Sequence, residues 1–273
     1  MRLCAFADEA SADLRGQIEA LKRNNISLLE IRGVDGENIK DISYNKIKEI
    51  KKKLDDSGIS VWSIGSPVGK NKPNDNFDAQ LDTFKRLCEY ADILEATRIR
   101  MFSFYSKNED EVFLRLEAFC KEAPRSIVMC HENEKGIFGD DPASCLKIHE
   151  KFPQIKAVFD PANFVQCDVN TLEAWDVLKK HVDYMHVKDA LANKTVVRAG
   201  YGIGNVEKII SMYAKNGGEV LTLEPHLMEF KGLSELENGE SLANIPVYTD
   251  TNTAFDAGVS ALKAILDKLE LRY

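Results

Sequence analysis

The feature that most constrains this chain is an alternation that runs its whole length. Eight apolar, strand-like runs (Leu3–Phe6, Leu28–Arg32, Val61–Gly65, Ile99–Phe102, Ile127–His131, Ile155–Asp160, Val182–Val187 and Val220–Glu224) are separated by segments of helical pattern. Apolar residues in those segments recur at three- and four-residue spacing, as in Ile47-Ile50-Leu54 and Phe77-Leu81-Phe84-Leu87, the period of a helix that buries one face. Asn24-Asn25, Ser57-Gly58 and Asn216-Gly217-Gly218 supply helix stops before the next strand. Strand–helix alternation implies a parallel sheet covered by helices. Eight repeats with no linker or composition shift predict one α/β domain over residues 1–273, a closed (β/α)8 (TIM) barrel. An open doubly wound sheet is the competitor. It places a glycine-rich turn after its first strand, and here that turn is Ala7-Asp8-Glu9-Ala10.

A barrel of this kind carries its chemistry where the strands stop at their carboxyl ends. In the segment Ala157–Asp189, one apolar run ends at Asp160 and the next at His186. Glu132 follows the fifth run and Glu224 closes the eighth, so successive members of the set lie 28, 26 and 38 residues apart, about one strand–helix unit each. Neighbouring strands are about 4.8 Å apart, close enough for four adjacent strand ends to converge. Three carboxylates and an imidazole suit one divalent ion of mixed oxygen and nitrogen preference: Mn2+, Zn2+, Co2+ or Mg2+. Without a cation, the carboxylates would repel one another and at least one pKa would rise. Each residue alone has a blander use, since a strand-end Asp commonly caps a helix and a rim His commonly bonds the core. The set of four on consecutive strands argues for the metal. His131 precedes Glu132, so strand alternation turns it to the opposite face and leaves it structural.

Composition narrows the partners. The formal charge is −8 and the pI about 5.3, which disfavours nucleic acid. No run approaches the roughly 20 apolar residues of a membrane span, and acidic residues appear too early for a signal peptide. Six scattered cysteines without a C-x-x-C pair read as reduced, structural thiols and fit a cytoplasmic protein. Two connections are long: Ser66–Asn76, and Leu227–Thr253 with Gly232, Gly239 and Pro246. Such loops are lids or binding loops, and the second serves equally as a contact between copies in a homo-oligomer.

The strings His131-Glu132-Asn133, Phe159-Asp160-Pro161-Ala162-Asn163, His186-Val187-Lys188-Asp189 and Leu223-Glu224-Pro225-His226 resemble the strand-end motifs of the xylose isomerase-like TIM-barrel superfamily. That superfamily includes sugar and sugar-phosphate isomerases and epimerases, inosose dehydratases and endonuclease IV. The resemblance spans essentially the whole chain. It implies that Glu132, Asp160, His186 and Glu224 match the metal quartet of the ketose 3-epimerases, and that Glu132 and Glu224 are the acid/base pair on opposite faces of the substrate. The physics agrees: a metal held by a carbonyl and its neighbouring hydroxyl stabilises an enediolate, which a carboxylate reprotonates. Asn163 stands where related epimerases carry a substrate-contacting histidine. Arg198 resembles an arginine that meets the substrate near the metal, and Glu30 matches a common family acid, with Arg32 as an alternative partner. Lys188 and His226, also on the rim, are placed to bond substrate hydroxyls. The turn Gly200-Tyr201-Gly202-Ile203-Gly204 runs into a helix at Asn205, and free amides there can hold a phosphate, with Lys70 and Lys72 in support. Glycine-rich turns also occur in members acting on uncharged sugars, so the expected substrate is a small sugar or polyol, phosphorylated or not.

The expected function is therefore a metal-dependent sugar or sugar-phosphate isomerase or epimerase. The alternative is a lyase of the inosose or dehydroshikimate dehydratase type, in which the same enolate expels a hydroxyl. An endonuclease IV-like enzyme needs more metal-binding histidines than the five present, and His149 and His181 lie in or beside helices away from the rim. An inactive barrel is the non-catalytic reading, and the intact quartet argues against it.

Overall fold

In the computed structural model, residues 1–72, 74–230 and 248–273 are described. Eight strands form the expected closed ring: β1 (Arg2–Ala5), β2 (Leu28–Ile31), β3 (Ser60–Gly65), β4 (Arg98–Met101), β5 (Val128–Glu132), β6 (Lys156–Phe159), β7 (Val182–Val187) and β8 (Val220–Leu223). Neighbours in sequence are neighbours in the sheet, all parallel, and β1 closes on β8 in the register Arg2↔Val220 to Ala5↔Leu223.

Helices begin where a short polar side chain satisfies their free amides. Asp13 caps α1 (Leu14–Arg23), Ser43 caps α2 (Tyr44–Asp56) and Asn76 caps α3 (Phe77–Leu94). Asn108 caps α4 (Glu109–Glu122) and Asp141 caps α5 (Pro142–Lys151). The sixth crossover holds two helices, α6 (Pro161–Gln166) capped by Asp160 and α7 (Thr171–Leu178) capped by Asn170. Then come α8 (Val206–Lys215) and, capped by Asp250, α9 (Thr251–Lys268). Each helix presses an apolar stripe on the barrel wall; in α2 it is Ile47, Ile50 and Leu54, all buried. Between α3 and α4, Phe84, Phe104 and Phe119 pack as rings 5.0 and 5.9 Å apart. Burying each such side chain contributes roughly 1.5–3 kcal/mol.

Inside the ring, the two-residue period of a strand sorts the side chains into layers. Cys4, Leu28, Cys130, Val158, Tyr184 and Val220 form an apolar floor. Two residues further along four of those strands come Glu30, Glu132, Asp160 and His186, so the ionisable layer stands directly on the oily one. The third-strand loop is pinned beside the extension of β4: Phe102 and Phe104 N–H donate to the Val68 and Gly69 carbonyls at 2.8 and 2.7 Å. Gly69 sits at φ +84°, and a Cβ there would lie 2.1 Å from the Phe102 oxygen, so only glycine fits. Of the long connection after β8, residues 231–247, with Gly232, Gly239 and Pro246, lie outside the described residues.

Candidate metal centre

Glu132 is the last residue of β5, Asp160 and Glu224 directly follow β6 and β8, and His186 is the penultimate residue of β7. All four are buried, and one ligand atom from each lies within 4.8 Å of the others. His186 Nδ1 is 3.0 Å from Glu132 Oε1 and 3.4 Å from Glu224 Oε2. Asp160 fills two offices at once: Oδ1 accepts the Asn163 N–H that opens α6, at 3.0 Å, while Oδ2 stays without a hydrogen bond. Asn133 locks this corner, its side chain exchanging two 2.9 Å bonds with the Asp160 backbone.

Two observations test whether these residues fit a cation. His186 Nε2 lies 3.1 Å from Glu30 Oε2, a carboxylate that accepts its proton, which leaves Nδ1, beside Glu132 and Glu224, as the ring nitrogen that a cation would take in place of a proton. That Nδ1 and Asp160 Oδ2 are both buried without a well-aligned hydrogen bond, each facing a charged neighbour, Glu132 for Nδ1 and Lys188 for Oδ2. Nitrogen and oxygen lone pairs turned toward one point are what a divalent ion needs. Glu30 is held in turn by the Tyr184 hydroxyl, which rises from the apolar floor and donates to Oε1 at 2.9 Å.

Internal cations surround the carboxylates. Arg100 Nε is 3.2 Å from Glu132 Oε2. Lys188 Nζ is 3.0 Å from both Asp160 Oδ2 and Glu224 Oε2. Arg32 grips Asp8 through two bonds of 2.9 and 3.0 Å, reaches Glu9 at 3.2 Å, and donates to Glu224 Oε1 at 2.9 Å. Burial pushes the Glu132 carboxyl up, but the charges of His186 and Arg100 outweigh it and hold it at about 2. Burial likewise opposes ionisation of Glu224, and Lys188 and His226 bring it well below the usual carboxylate range. Asp160 goes the other way, to about 6: burial dominates, Lys188 offsets part of it, and Glu132 and Glu224 push it further up.

The remaining expected residues divide. Asn163 Nδ2 donates to Glu132 Oε1 at 3.2 Å and to the Asn133 carbonyl at 2.9 Å, and Lys188 stands inside the cluster. His226 Nε2 lies 3.3 Å from both Glu9 and Glu224. Glu30 sits behind His186, with Arg100 rather than Arg32 as its nearest cation at 4.0 Å. Arg198 lies on the loop after β7, its guanidinium 4.2 Å over the Tyr201 ring. His131 faces outward as expected, Nε2 2.9 Å from Ser103 Oγ. The amides of the glycine turn are already taken: Gly200, Gly202 and Gly204 N–H donate to the Asp189 carboxylate at 3.1, 3.0 and 2.8 Å. An internal carboxylate occupies the cradle expected for phosphate. Sequence reasoning passed over Arg100, Tyr184, Asp8 and Glu9, and it offered Arg32 to Glu30, whereas Arg32 pairs with Asp8, Glu9 and Glu224. A usable signal was the lone buried charge in Arg98-Ile99-Arg100-Met101, where the two-residue period turns Arg100 inward beside Glu132.

A cavity of about 750 Å3 opens beside the cluster, over the β2 and β3 loops and the start of α3. It does not touch the quartet; Arg32 and Asp8 form its inner wall, and Phe230, whose ring lies 4.9 Å from the Arg32 guanidinium, borders it as well.

A model of the xylose isomerase-like TIM-barrel family matches residues 18–263, and the chain belongs to that family. Solved structures with the same fold include an L-ribulose 3-epimerase (14% identity, 98% of this chain and 95% of that one, TM-score 0.77). Another is the probable 3-DHS dehydratase AsbF of Bacillus anthracis (13% identity, 96% and 99% covered, TM-score 0.72). A third is the IolI protein with a bound zinc atom (13% identity, 98% and 99% covered, TM-score 0.73). No curated protein matches the sequence. Among the described residues, no helix is long and apolar enough to cross a membrane.

Proposed function

We propose that the chain is a divalent-metal-dependent isomerase or epimerase of a small sugar, with Glu132, Asp160, His186 and Glu224 as ligands and Glu132 and Glu224 as the acid/base pair. The observation that carries this reading is the meeting of four buried ligand atoms, one each from Glu132, Asp160, His186 and Glu224, within 4.8 Å of one another. A solved relative of the same fold holds zinc, and another is a 3-epimerase. A bound divalent ion would supply Lewis-acid polarisation of a substrate carbonyl. Glu132, held ionised beside Arg100, takes the proton from the carbon next to that carbonyl. Glu224 serves the opposite face, so a returned proton inverts the centre, or shifts the carbonyl if it reaches the neighbouring carbon. Asn163 holds Glu132 in place, Glu30 orients His186, and Lys188 and His226 offer donors to substrate hydroxyls, with Arg198 further out on the rim. Glu132→Gln and Glu224→Gln should each abolish turnover of a ketose panel while circular dichroism stays unchanged; turnover retained in either variant refutes the pair.

One observation favours a second reading. Arg32, Lys188 and His226 all hold Glu224 as an anion, so the transferable proton on that side sits on the Lys188 ammonium. In a dehydratase, Glu132 would take the C–H proton and that electron pair would form the C=C bond. The C–O bond would then break, and the leaving hydroxyl would depart as water with a proton from Lys188. New enone absorbance from inososes supports this branch; an unchanged formula with altered stereochemistry supports the first.

A further inference from the structure

The start of α3 breaks its own pattern. Phe77, Phe84, Leu87, Ala91 and Leu94 form the stripe that packs on the barrel, and the helical period puts Gln80 among them, three residues after Phe77 and four before Phe84. Gln80 is only 8% exposed, and neither its Oε1 nor its Nε2 has a partner. Burying an unpaired carboxamide is costly, and a leucine would serve the stripe better. Gln80 borders the cavity beside the metal cluster, so what the fold withholds a ligand can supply: an acceptor for its NH2 and a donor for its carbonyl.

The cavity's size and charge narrow that ligand. At about 750 Å3 it falls within the range of roughly 300–1,000 Å3 that holds drug-sized molecules, with more room than one ketohexose fills. Among the described residues, the three cations that line it are already paired. Arg32 is gripped by Asp8 and Glu224, Lys40 pairs with Asp41 at 2.8 Å, and Lys70 pairs with Glu134 at 2.7 Å. A phosphate gains little beside cations that a carboxylate already neutralises, whereas a hydroxyl can use the carboxamide as it stands.

The geometry points to a distal subsite: the cavity holds an uncharged hydroxylated ring joined to the reacting sugar, so the substrate is a glycosyl ketose or a polyol extended in the same way, and Gln80 is a specificity-determining contact for that second ring. This rests on the proposed function for the nature of the reacting end. Arg32 is the junction, with its guanidinium on the cavity wall and its Nη1 donating to Glu224.

The test uses the full-length, Mn2+-loaded protein and calorimetric binding of D-fructose, D-fructose 6-phosphate and lactulose, a galactosyl ketose. Lactulose should bind about tenfold tighter than D-fructose, the scale of one or two added hydrogen bonds with ring burial, and the phosphate should add nothing. Gln80→Leu should bring lactulose to within about twofold of D-fructose while leaving D-fructose unchanged. Ala79→Trp, at an exposed position on the cavity edge, should do the same by filling the space, and it decides the matter if Gln80→Leu fails to fold. Equal binding of the two sugars, tighter binding of the phosphate, an equal effect of either variant on both sugars, or no binding at all overturns the subsite. Preferential lactulose binding with no rearranged or dehydrated product from any probe by NMR sinks the proposed function and leaves the subsite standing.

Discussion

His186 shows how one side chain's chemistry is set by the residue behind it. Glu30 fixes the tautomer, and Tyr184 fixes Glu30. Glu30→Gln keeps the volume but lets the ring turn, and it should weaken Mn2+ binding by about 10- to 100-fold in a chelator competition assay. Arg100→Met leaves the Glu132 carboxylate buried without its guanidinium and should lower stability by about 3 kcal/mol in urea unfolding. Away from the cluster, burial holds His149 neutral, down to about 4 from an ordinary 6.5. Its unfolded form therefore takes up a proton first as acid is added. Its contribution to stability is complete above pH 6.5 and declines as the pH falls toward 4. His149→Asn should flatten the slope of unfolding free energy against pH over that window; an unchanged slope refutes the assignment. The cluster of Glu132, Asp160, His186 and Glu224 was legible in the sequence because carboxylates and an imidazole have no place at the end of an apolar run. Arg100 and the pairing of Arg32 with Glu224 were not, because an arginine in or just after a strand is ordinary at an edge, and only the closed ring turns these two inward.

Elements were legible in proportion to their length. The eight strands fall within a residue or two of their apolar runs, since each run is buried by helices outside and by side chains inside. The six-residue α6 escaped notice because one turn and a half shows no period. The two-residue ribbons Gly33–Val34 with Glu37–Asn38 and Asp189–Ala190 with Val196–Val197 escaped for the same reason. The glycine turn before α8 carried a true signal with the wrong occupant. Free amides did call for an anion, and Asp189, fixed at the end of β7, reached them first. Inorganic phosphate should accordingly leave the melting temperature unchanged at this turn. Gly204→Ala places a Cβ 2.6 Å from Asp189 Oδ1 and should cost roughly 1–3 kcal/mol, measured by thermal unfolding.

At the scale of the molecule, the ring gathers four ligand-type side chains at one end, where a divalent ion could bind the folded chain and not the unfolded one. A divalent ion that binds the folded chain alone stabilises it by about 2.7 kcal/mol at a hundredfold excess over its dissociation constant. Adding Mn2+ or Zn2+ should therefore raise the unfolding temperature, and a chelator should reverse the gain. The barrel itself was plain from eight repeats. The cavity over the β2 and β3 loops was hidden from one-dimensional reading, because its walls come from several loops whose spacing no sequence period encodes.

That closure has a consequence for how the protein is made. Arg32 and the carboxylate of Glu224 that it holds are separated by 192 positions. On the ribosome, the guanidinium, with Asp8 and Glu9 around it, waits until the eighth strand has emerged before its last partner arrives. A nascent chain missing its final strand has every other stave of the ring and no working rim. Competence therefore arrives in one late step, when the seam between the first and last strands zips shut.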